Sequence, residues 1–270
     1  MLSLPKNGCL SFDGTHMDYV SFGSGVRTLI MLPGLGDGLR GVRGLALPFS
    51  LLYRMYSKSH RVYVFSRKRS LAPGCTTRDM ADDVAKAMEL LHLEKADVLG
   101  VSHGGMLAQQ LAIHHPDKVN KLILVVTAAR RDPHVDQALS RWCEFARQGR
   151  HRELMTDTMK AMYSPAYVQR NSWTIPLVSL VSKPRTYDRF LAMADAGLRH
   201  DCFSQLSLIH SPTLVIGGEL DKVVSPQASR DLAANIPGAQ LHLFPQWGHG
   251  LYEEAPDYTD LVLTFLNQEQ

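Results

Sequence analysis

The stretch LGVSHGGM, residues 99–106, contains the pattern G-x-S-x-G as Gly100, Ser102 and Gly104. This pattern is typical of a reactive serine on a tight turn between a strand and a helix, where both flanking positions must lack a side chain. The strand-like run ADVLGV precedes the serine, and apolar residues at helical spacing follow it. A serine that only caps the helix is the alternative. The strand-to-helix context favours a nucleophile at Ser102.

Strand-like and helical segments alternate along most of the chain. Three short β-type segments lie before residue 33, and five aliphatic or β-branched runs follow at 61–65, 96–101, 121–126, 213–218 and 240–244. Each of these five is followed by a segment with helical spacing or by an insertion. Such alternation predicts an α/β fold, with a mostly parallel, twisted sheet of about eight strands and helices on both faces.

One region interrupts this alternation. Residues 130–205 contain no convincing strand and instead show helical segments at 133–147, 153–163 and 184–198, separated by prolines. We interpret this region as a helical cap inserted between two strands. The predicted core then comprises residues 1–129 and 206–270, and a chain of 270 residues is ordinary for one domain of this kind.

Composition excludes several classes of function. The chain is 45% apolar and 20% charged with a net charge of +3, so neither disorder nor a nucleic-acid partner is expected. The four cysteines form no C-x-x-C pair, and we expect reduced, buried thiols. No leader segment and no apolar run of membrane length is evident, which predicts a cytoplasmic protein without membrane insertion. The twelve histidines show no metal-binding motif, so we expect no metal and no cofactor.

A serine hydroxyl needs a base, and the base needs an orienting carboxylate. Asp221 comes just after the strand at 213–218, and His249 comes just after the strand at 240–244. The carboxyl ends of parallel strands share one edge of the sheet, so both side chains should lie near Ser102. Glu219 is an alternative acid, and a surface-loop histidine is the alternative reading of His249.

With serine, acid and histidine in this order, and a helical insertion after the strand that follows Ser102, the chain resembles members of the α/β-hydrolase superfamily over essentially its whole length. The resemblance implies that Ser102 is the nucleophile, that His249 is the general base and then acid, and that Asp221 fixes the imidazole tautomer. It also implies an oxyanion hole formed by the backbone N–H groups of His103 and Leu35.

The loop PGLGDGLRG, residues 33–41, allows two interpretations. Under the resemblance, its glycines let the chain approach a developing oxyanion; Pro33 replaces the histidine of many relatives, and Gly36 is an alternative second donor to Leu35. The same loop also spells G-x-G-x-x-G, the glycine pattern of a dinucleotide-binding turn. That reading leaves Ser102, Asp221 and His249 without a role, and we disfavour it.

Substrate contacts are weakly marked in the sequence. We predict Trp142, Tyr163 and Trp173 as the cap residues nearest a ligand, and we expect the cap methionines Met155, Met159 and Met162 to form core. The run Arg67-Lys68-Arg69 replaces the aspartate and glycines that hydrolases of this kind often carry after the same strand. Arg67 and Arg69 could bind an anionic group of a substrate; the alternative is that one arginine pins the loop and the others are solvated.

The function indicated is a metal-free serine hydrolase, foremost a carboxylesterase that cleaves small to medium esters through an acyl-enzyme on Ser102. Hydrolysis of lactones, thioesters or carbon–carbon bonds and acyl transfer use nearly the same residues, so fold and triad do not choose among them. A ligand-binding receptor on a hydrolase scaffold is the alternative from another class. The expected partner is a small-molecule ester; oligomeric state is not readable from the sequence.

Overall fold

A computed structural model describes residues 4–268 of the protein. One sheet contains eight strands: β1 (Lys6–Phe12), β2 (Thr15–Phe22), β3 (Arg27–Leu32), β4 (His60–Lys68), β5 (Ala96–Val101), β6 (Val119–Val125), β7 (Thr213–Gly218) and β8 (Gln240–Phe244). Their spatial order is β1-β2-β4-β3-β5-β6-β7-β8. Strand β2 is antiparallel to both neighbours, and the pairs from β4 to β8 are parallel. The predicted mostly parallel, eight-stranded sheet is confirmed.

The α-helices follow the strands in the expected alternation. They are α1 (Ala46–Leu52), α2 (Thr77–Leu90), α3 (His103–His114), α4 (Pro133–Arg147), α5 (His151–Met162), α6 (Pro165–Asn171), α7 (Ile175–Ser182), α8 (Asp188–Leu198), α9 (Pro226–Asn235), α10 (Leu251–Glu254) and α11 (Tyr258–Asn267). Helices α4 to α8 all lie between β6 and β7, within the region 130–205. Residues 1–3 and 269–270 of the proposed core lie outside the described residues.

Two helix starts differ from the sequence prediction, and α5 begins at His151, two residues before the predicted start. Helix α8 begins at Asp188, four residues after the predicted start at Pro184. The residue before this proline, Lys183, has φ −65° and ψ 116°. A proline ring disfavours helical geometry at the preceding residue, so the chain leaves α7 in an extended conformation and re-enters a helix only later.

The central strands of the sheet are buried on both faces, as a parallel sheet with helices on each side requires. Neighbouring residues of β3 divide between the two faces: Leu29 packs in the core beneath α11, and Ile30 packs in the core beneath α2 and α3. The strand β7 is buried at every position. Within residues 4–268, no helix has the length and apolar character needed to cross a bilayer.

The four cysteines are free. Cys143 and Cys202 are buried and Cys75 is half-buried, whereas Cys9 is exposed. The expectation of burial is therefore wrong for Cys9, which lies on β1, the edge strand of the sheet. An edge strand has only one neighbour to cover its side chains, so its residues are the least protected of the sheet.

A buried histidine follows α8. His200 is 3% exposed; its Nδ1 is 2.8 Å from Thr77 Oγ1 at the start of α2, and its Nε2 is 3.5 Å from Cys202 Sγ. Burial lowers the pKa of His200 from its ordinary value of 6.5 to about 4. Between pH 6.5 and about 4, the His200 ring is therefore neutral in the folded protein and joins the cap to the core, whereas the same ring is protonated in the unfolded chain.

We expect acidification to destabilise the protein through this residue. Below pH 6.5 the unfolded chain binds a proton at His200 and the folded chain does not, so the free energy of unfolding falls with pH, by on the order of 3 kcal/mol when the pH reaches about 4. Urea denaturation at neutral and acid pH should show a smaller pH effect in His200→Gln than in wild type. His242→Gln, an exposed histidine on β8, is the control and should keep the wild-type pH dependence.

Candidate active site

Ser102 lies on the turn between β5 and α3 in a strained conformation, with φ 53° and ψ −120°. A Cβ at Gly104 would lie 2.0 Å from the carbonyl oxygen of Leu32, and a Cβ at Gly100 would lie 2.5 Å from that of Gly104. Both positions therefore require glycine, as the motif predicts. The Ser102 N–H donates to Val125 O at 2.8 Å, which holds the strained residue against β6.

The acid and the histidine meet after β7 and β8. His249 Nδ1 lies 2.8 Å from Asp221 Oδ2, and both residues are at most 5% exposed. The other carboxylate oxygen of Asp221 accepts hydrogen bonds from the N–H groups of Val223 at 2.7 Å and Val224 at 2.9 Å. Glu219 instead forms an ion pair with Arg230 at the surface. The geometry favours Asp221 over Glu219 as the partner of His249.

Two backbone donors lie beside Ser102. His103 is the first residue of α3, and Leu35 is the first residue of a 3₁₀ turn, Leu35–Gly38. The first N–H groups of a helix have no acceptor within it, so both are free to receive an oxyanion. A Cβ at Gly34 would be 3.6 Å from Ser102 Cβ, which shows how closely the loop approaches the serine.

The same loop does not open a helix in the manner of a dinucleotide-binding turn. Helix α1 begins only at Ala46, five residues after Gly41. A Cβ at Gly41 would lie 2.7 Å from Ser66 Oγ, so this glycine accommodates a side chain of the protein itself. The arrangement lacks the helix N-terminus that would receive a pyrophosphate, and it supports the oxyanion interpretation.

A buried carboxylate that sequence reasoning missed anchors this loop. Asp37 is 4% exposed and accepts hydrogen bonds from Ser66 Oγ at 2.5 Å and from the Arg67 N–H at 2.9 Å. Arg189 of α8 pairs with the same carboxylate at 2.5 Å and also donates to the carbonyl oxygens of Arg67 and Lys68. The sequence holds no local signal for this pair, because Asp37 and Arg189 lie 152 residues apart.

We expect Arg189→Gln to weaken both stability and any catalysis at this site. Loss of the guanidinium leaves Asp37 with fewer charged partners, which should lower the free energy of unfolding by about 2 kcal/mol. The oxyanion loop would loosen with it, so kcat should fall by about tenfold. Urea denaturation and ester kinetics measure the two effects. Arg185→Gln, an exposed cap arginine, is the control; an equal loss in both variants would contradict the anchoring role.

A cavity of about 360 Å³ opens at Ser102 and His249. The loop at residues 33–42 forms one part of the remaining wall. Helix α1 with its flanking residues and the cap form another part, with the side chains of Leu45, Phe49, Leu52, Tyr53, Trp142, Met155, Met162 and Phe190. Met155 and Met162 of α5 both line the cavity, and Met162 also packs against the core, so the expectation that this methionine face is core is met only in part. The described residues contain no group of three or more His, Cys, Asp or Glu side chains arranged to hold a metal ion.

The aromatic residues predicted near a ligand occupy different places. Trp142 lines the cavity, and its Nε1 donates to Asp157 Oδ2 at 2.7 Å. Tyr163 packs on Gly250, the neighbour of His249, and its hydroxyl donates to Glu253 at 2.8 Å. Trp173 is 76% exposed on the outside of the cap and does not line the cavity. Only Trp142 of the three is placed to touch a ligand beside Ser102.

The basic run at the end of β4 does not line the cavity. Arg67 is buried, and its Nη2 donates to Pro33 O at 2.5 Å and to His103 Nδ1 at 3.1 Å. Arg69 forms an ion pair with Asp18 at 2.6 Å, and Lys68 pairs with two other carboxylates, those of Asp13 and Asp83. We therefore do not place Arg67 or Arg69 in the substrate site. Arg67 instead holds the loop at residues 33–41 through Pro33, and Lys68 and Arg69 are ion-paired rather than solvated.

The cap is joined directly to the loop that carries the histidine. The N–H of Gly250 donates to the carbonyl oxygen of Met162, at the end of α5, with a distance of 2.7 Å. Next to it, the Ser164 hydroxyl donates to Glu254 of α10 at 2.5 Å. The junction between α5 and α6 is thus hydrogen-bonded to the residues that follow His249.

Comparison with known proteins agrees with this architecture. The family described as alpha/beta hydrolase fold matches residues 27–256. The 2-hydroxymuconate semialdehyde hydrolase of Pseudomonas sp. strain CF600 is 30% identical over 256 residues, 88% of this chain and 86% of that protein. Serine hydrolase BPHL of Mus musculus is 25% identical over 270 residues, 95% of this chain and 85% of that protein. The crystal structure of MGS-M2, an alpha/beta hydrolase enzyme from a Medee basin deep-sea metagenome library, superposes with a TM-score of 0.84 at 21% identity and covers 97% of this chain and 98% of its own.

Proposed function

Because the chain belongs to the alpha/beta hydrolase fold family, we propose that it is a serine hydrolase that cleaves carboxylic esters through an acyl-enzyme on Ser102. One observation carries this proposal: the buried pair of Asp221 and His249, joined at 2.8 Å, opens onto the same cavity as Ser102. A hydroxyl, an imidazole and a carboxylate in this relation are the groups that acyl transfer needs.

In the first half of the proposed reaction, Ser102 Oγ attacks the ester carbonyl while His249 Nε2 takes the hydroxyl proton. Asp221 accepts the N–H of His249 Nδ1, which leaves Nε2 as the acceptor and stabilises the imidazolium that forms. The N–H groups of His103 and Leu35 receive the developing oxyanion. The imidazolium then protonates the departing alcohol, and the acyl group remains on Ser102.

In the second half, His249 removes a proton from water, the hydroxide attacks the acyl carbonyl, and Ser102 leaves with a proton returned from His249. Among the described residues, no hydrogen bond joins the Ser102 hydroxyl to the His249 ring. Catalysis by this pair therefore needs that hydrogen bond to form in the complex with substrate. Catalytic hydrogen bonds commonly tighten only when substrate is bound.

The cavity wall supports an ester with apolar groups as the substrate. Its volume of about 360 Å³ suits a small to medium molecule, and its cap and α1 walls carry mainly aliphatic and aromatic side chains. We further propose a cytoplasmic location, which rests on the four free cysteines of the chain.

A panel of p-nitrophenyl esters, from acetyl to dodecanoyl, tests the proposed reaction. Turnover should occur across part of the panel, and a fluorophosphonate probe should label Ser102, as located by peptide mass spectrometry. Ser102→Ala is the control and should neither turn over nor be labelled. Labelling at another serine, or a single slow turnover with every ester, would contradict the proposal; the second result would favour the receptor alternative.

Carbon–carbon bond hydrolysis is the second candidate, because a relative at 30% identity is named 2-hydroxymuconate semialdehyde hydrolase. The same nucleophile, base and oxyanion donors would serve this reaction. Incubation with 2-hydroxymuconate semialdehyde, followed by its absorbance, separates the two candidates. Cleavage of this compound together with inactivity on the whole ester panel would replace the first candidate by the second.

A further inference from the structure

Helix α7 of the cap carries its apolar side chains on the outside. Leu177 is 62% exposed and Leu180 is 76% exposed, whereas Ser179 between them is 9% exposed and its hydroxyl has no hydrogen-bond partner in the described part of the chain. A helix that only covers a core shows the opposite arrangement, with its polar face toward water. The outward leucines of α7 therefore indicate a surface that meets something other than water.

A second helix shows the same feature. Leu47 and Leu51 of α1, one turn apart, and the neighbouring Leu52 are each more than 60% exposed. Leu52 also lines the cavity that contains Ser102. Helix α1 thus presents apolar side chains both to the cavity and to solvent at the cavity mouth.

The two helices flank the same opening. Arg40 lines the cavity near α1, and its Nη1 lies 3.4 Å from the carbonyl oxygen of Val181 in α7. Helix α7 packs against α5, whose Met155 and Met162 form the opposite wall. We define the apolar rim as the exposed side chains Leu47, Leu51, Leu52, Trp173, Leu177, Leu180 and Val181.

The two chain segments that carry the apolar rim hold charges of one sign. Residues 38–78, which include α1, and residues 158–187, which include α7, contain no Asp and no Glu. Exposed cations within these two segments include Arg43, Arg54, Lys58, Lys183 and Arg185. The two acidic residues that line the cavity have partners: Asp37 is buried against Arg189, and Glu253 accepts a hydrogen bond from the Tyr163 hydroxyl.

We propose that the apolar rim docks on a lipid surface that carries anionic headgroups. Leucine and tryptophan side chains enter the boundary between headgroups and acyl chains, and the surrounding arginines and lysines bind the anionic phosphates. The cavity mouth then faces the lipid. Entry of an ester substrate from that surface rests on the proposed hydrolase function, whereas docking itself does not.

Vesicle flotation with the full-length protein tests this docking. Wild type should partition at least about tenfold more strongly onto phosphatidylcholine vesicles that contain phosphatidylglycerol than onto phosphatidylcholine alone, and the difference should shrink as salt rises. Leu51→Asp and Leu180→Asp should each weaken partitioning by about tenfold or more, since each removes one apolar anchor and adds a negative charge.

Leu208→Asp and Leu241→Asp are matched controls, because they make the same change at leucines that are 49% and 41% exposed and belong to neither α1 nor α7. These controls should float like wild type, and all four variants should keep wild-type kcat/KM on a water-soluble acetyl ester. Ser102→Ala should bind vesicles as wild type does. The docking proposal can therefore be tested even if the proposed hydrolase function fails. Equal binding of the wild type to both vesicle types would overturn the proposal, and so would an equal loss of binding in the control variants. The same holds if light scattering finds a stable dimer that the rim variants dissociate.

Discussion

Replacement of Ser102 by alanine is expected to reduce kcat on any turned-over ester by on the order of a millionfold, the typical cost of removing the nucleophile of a triad. The remaining oxyanion donors and cavity cannot form an acyl-enzyme without the hydroxyl oxygen. Ester kinetics and fluorophosphonate labelling measure this loss. Ser70→Ala, an exposed serine after β4, should leave both unchanged.

The stability of Ser102 variants tests the backbone strain at this residue independently of catalysis. Alanine bears a Cβ like serine, so the strain at φ 53° stays and the melting temperature should change little. Ser102→Gly should instead raise the free energy of unfolding by about 1 kcal/mol, because glycine adopts this conformation without a steric penalty. Activity within about tenfold of wild type in either variant would remove Ser102 from the reaction.

Asp221→Asn should lower kcat by about ten thousandfold while the protein stays folded. The Asp221 oxygen that accepts two backbone N–H groups, from Val223 and Val224, would remain the carbonyl oxygen of the amide. The amide NH₂ would then face His249 Nδ1 and act as a donor. That forces the ring proton onto Nε2, the nitrogen that must accept the proton of Ser102.

Glu219→Gln is the matched control for this substitution. Glu219 lies two residues from Asp221 and pairs with Arg230 at the surface, so its loss should change kcat by less than about twofold. Steady-state kinetics and circular dichroism of both variants suffice. A reversed order of the two effects would assign the orienting role to Glu219.

The sequence predicted the structure best at positions where the local geometry admits only one type of residue. The glycines on either side of Ser102 predicted the tight turn correctly, because a Cβ atom at either position would lie 2.0 or 2.5 Å from a carbonyl oxygen. The five aliphatic runs predicted β4 to β8, and the runs of β5, β6 and β7 are apolar almost throughout because these strands are buried on both faces. The positions of Asp221 and His249 followed from the rule that parallel strands end at the same edge.

What the sequence could not give depends on contacts between distant segments. The pairing of Asp37 with Arg189 joins the oxyanion loop to the cap, and neither residue lies in a recognisable motif. The basic run at 67–69 looked available for a substrate, but its partners, Asp37, Asp18 and Asp13, come from other loops and strands. The outward direction of the leucines and valines of α7 likewise depends on packing, which the sequence pattern does not contain.

The hydrogen bond from Gly250 to Met162 has a consequence for the timing of turnover. A swing of α5 that widens the mouth must either break this bond or pull the residue next to His249 along with the cap. An open mouth and an aligned base would then exclude each other. Substrate entry and product departure would then belong to one phase of the cycle and proton transfer to another.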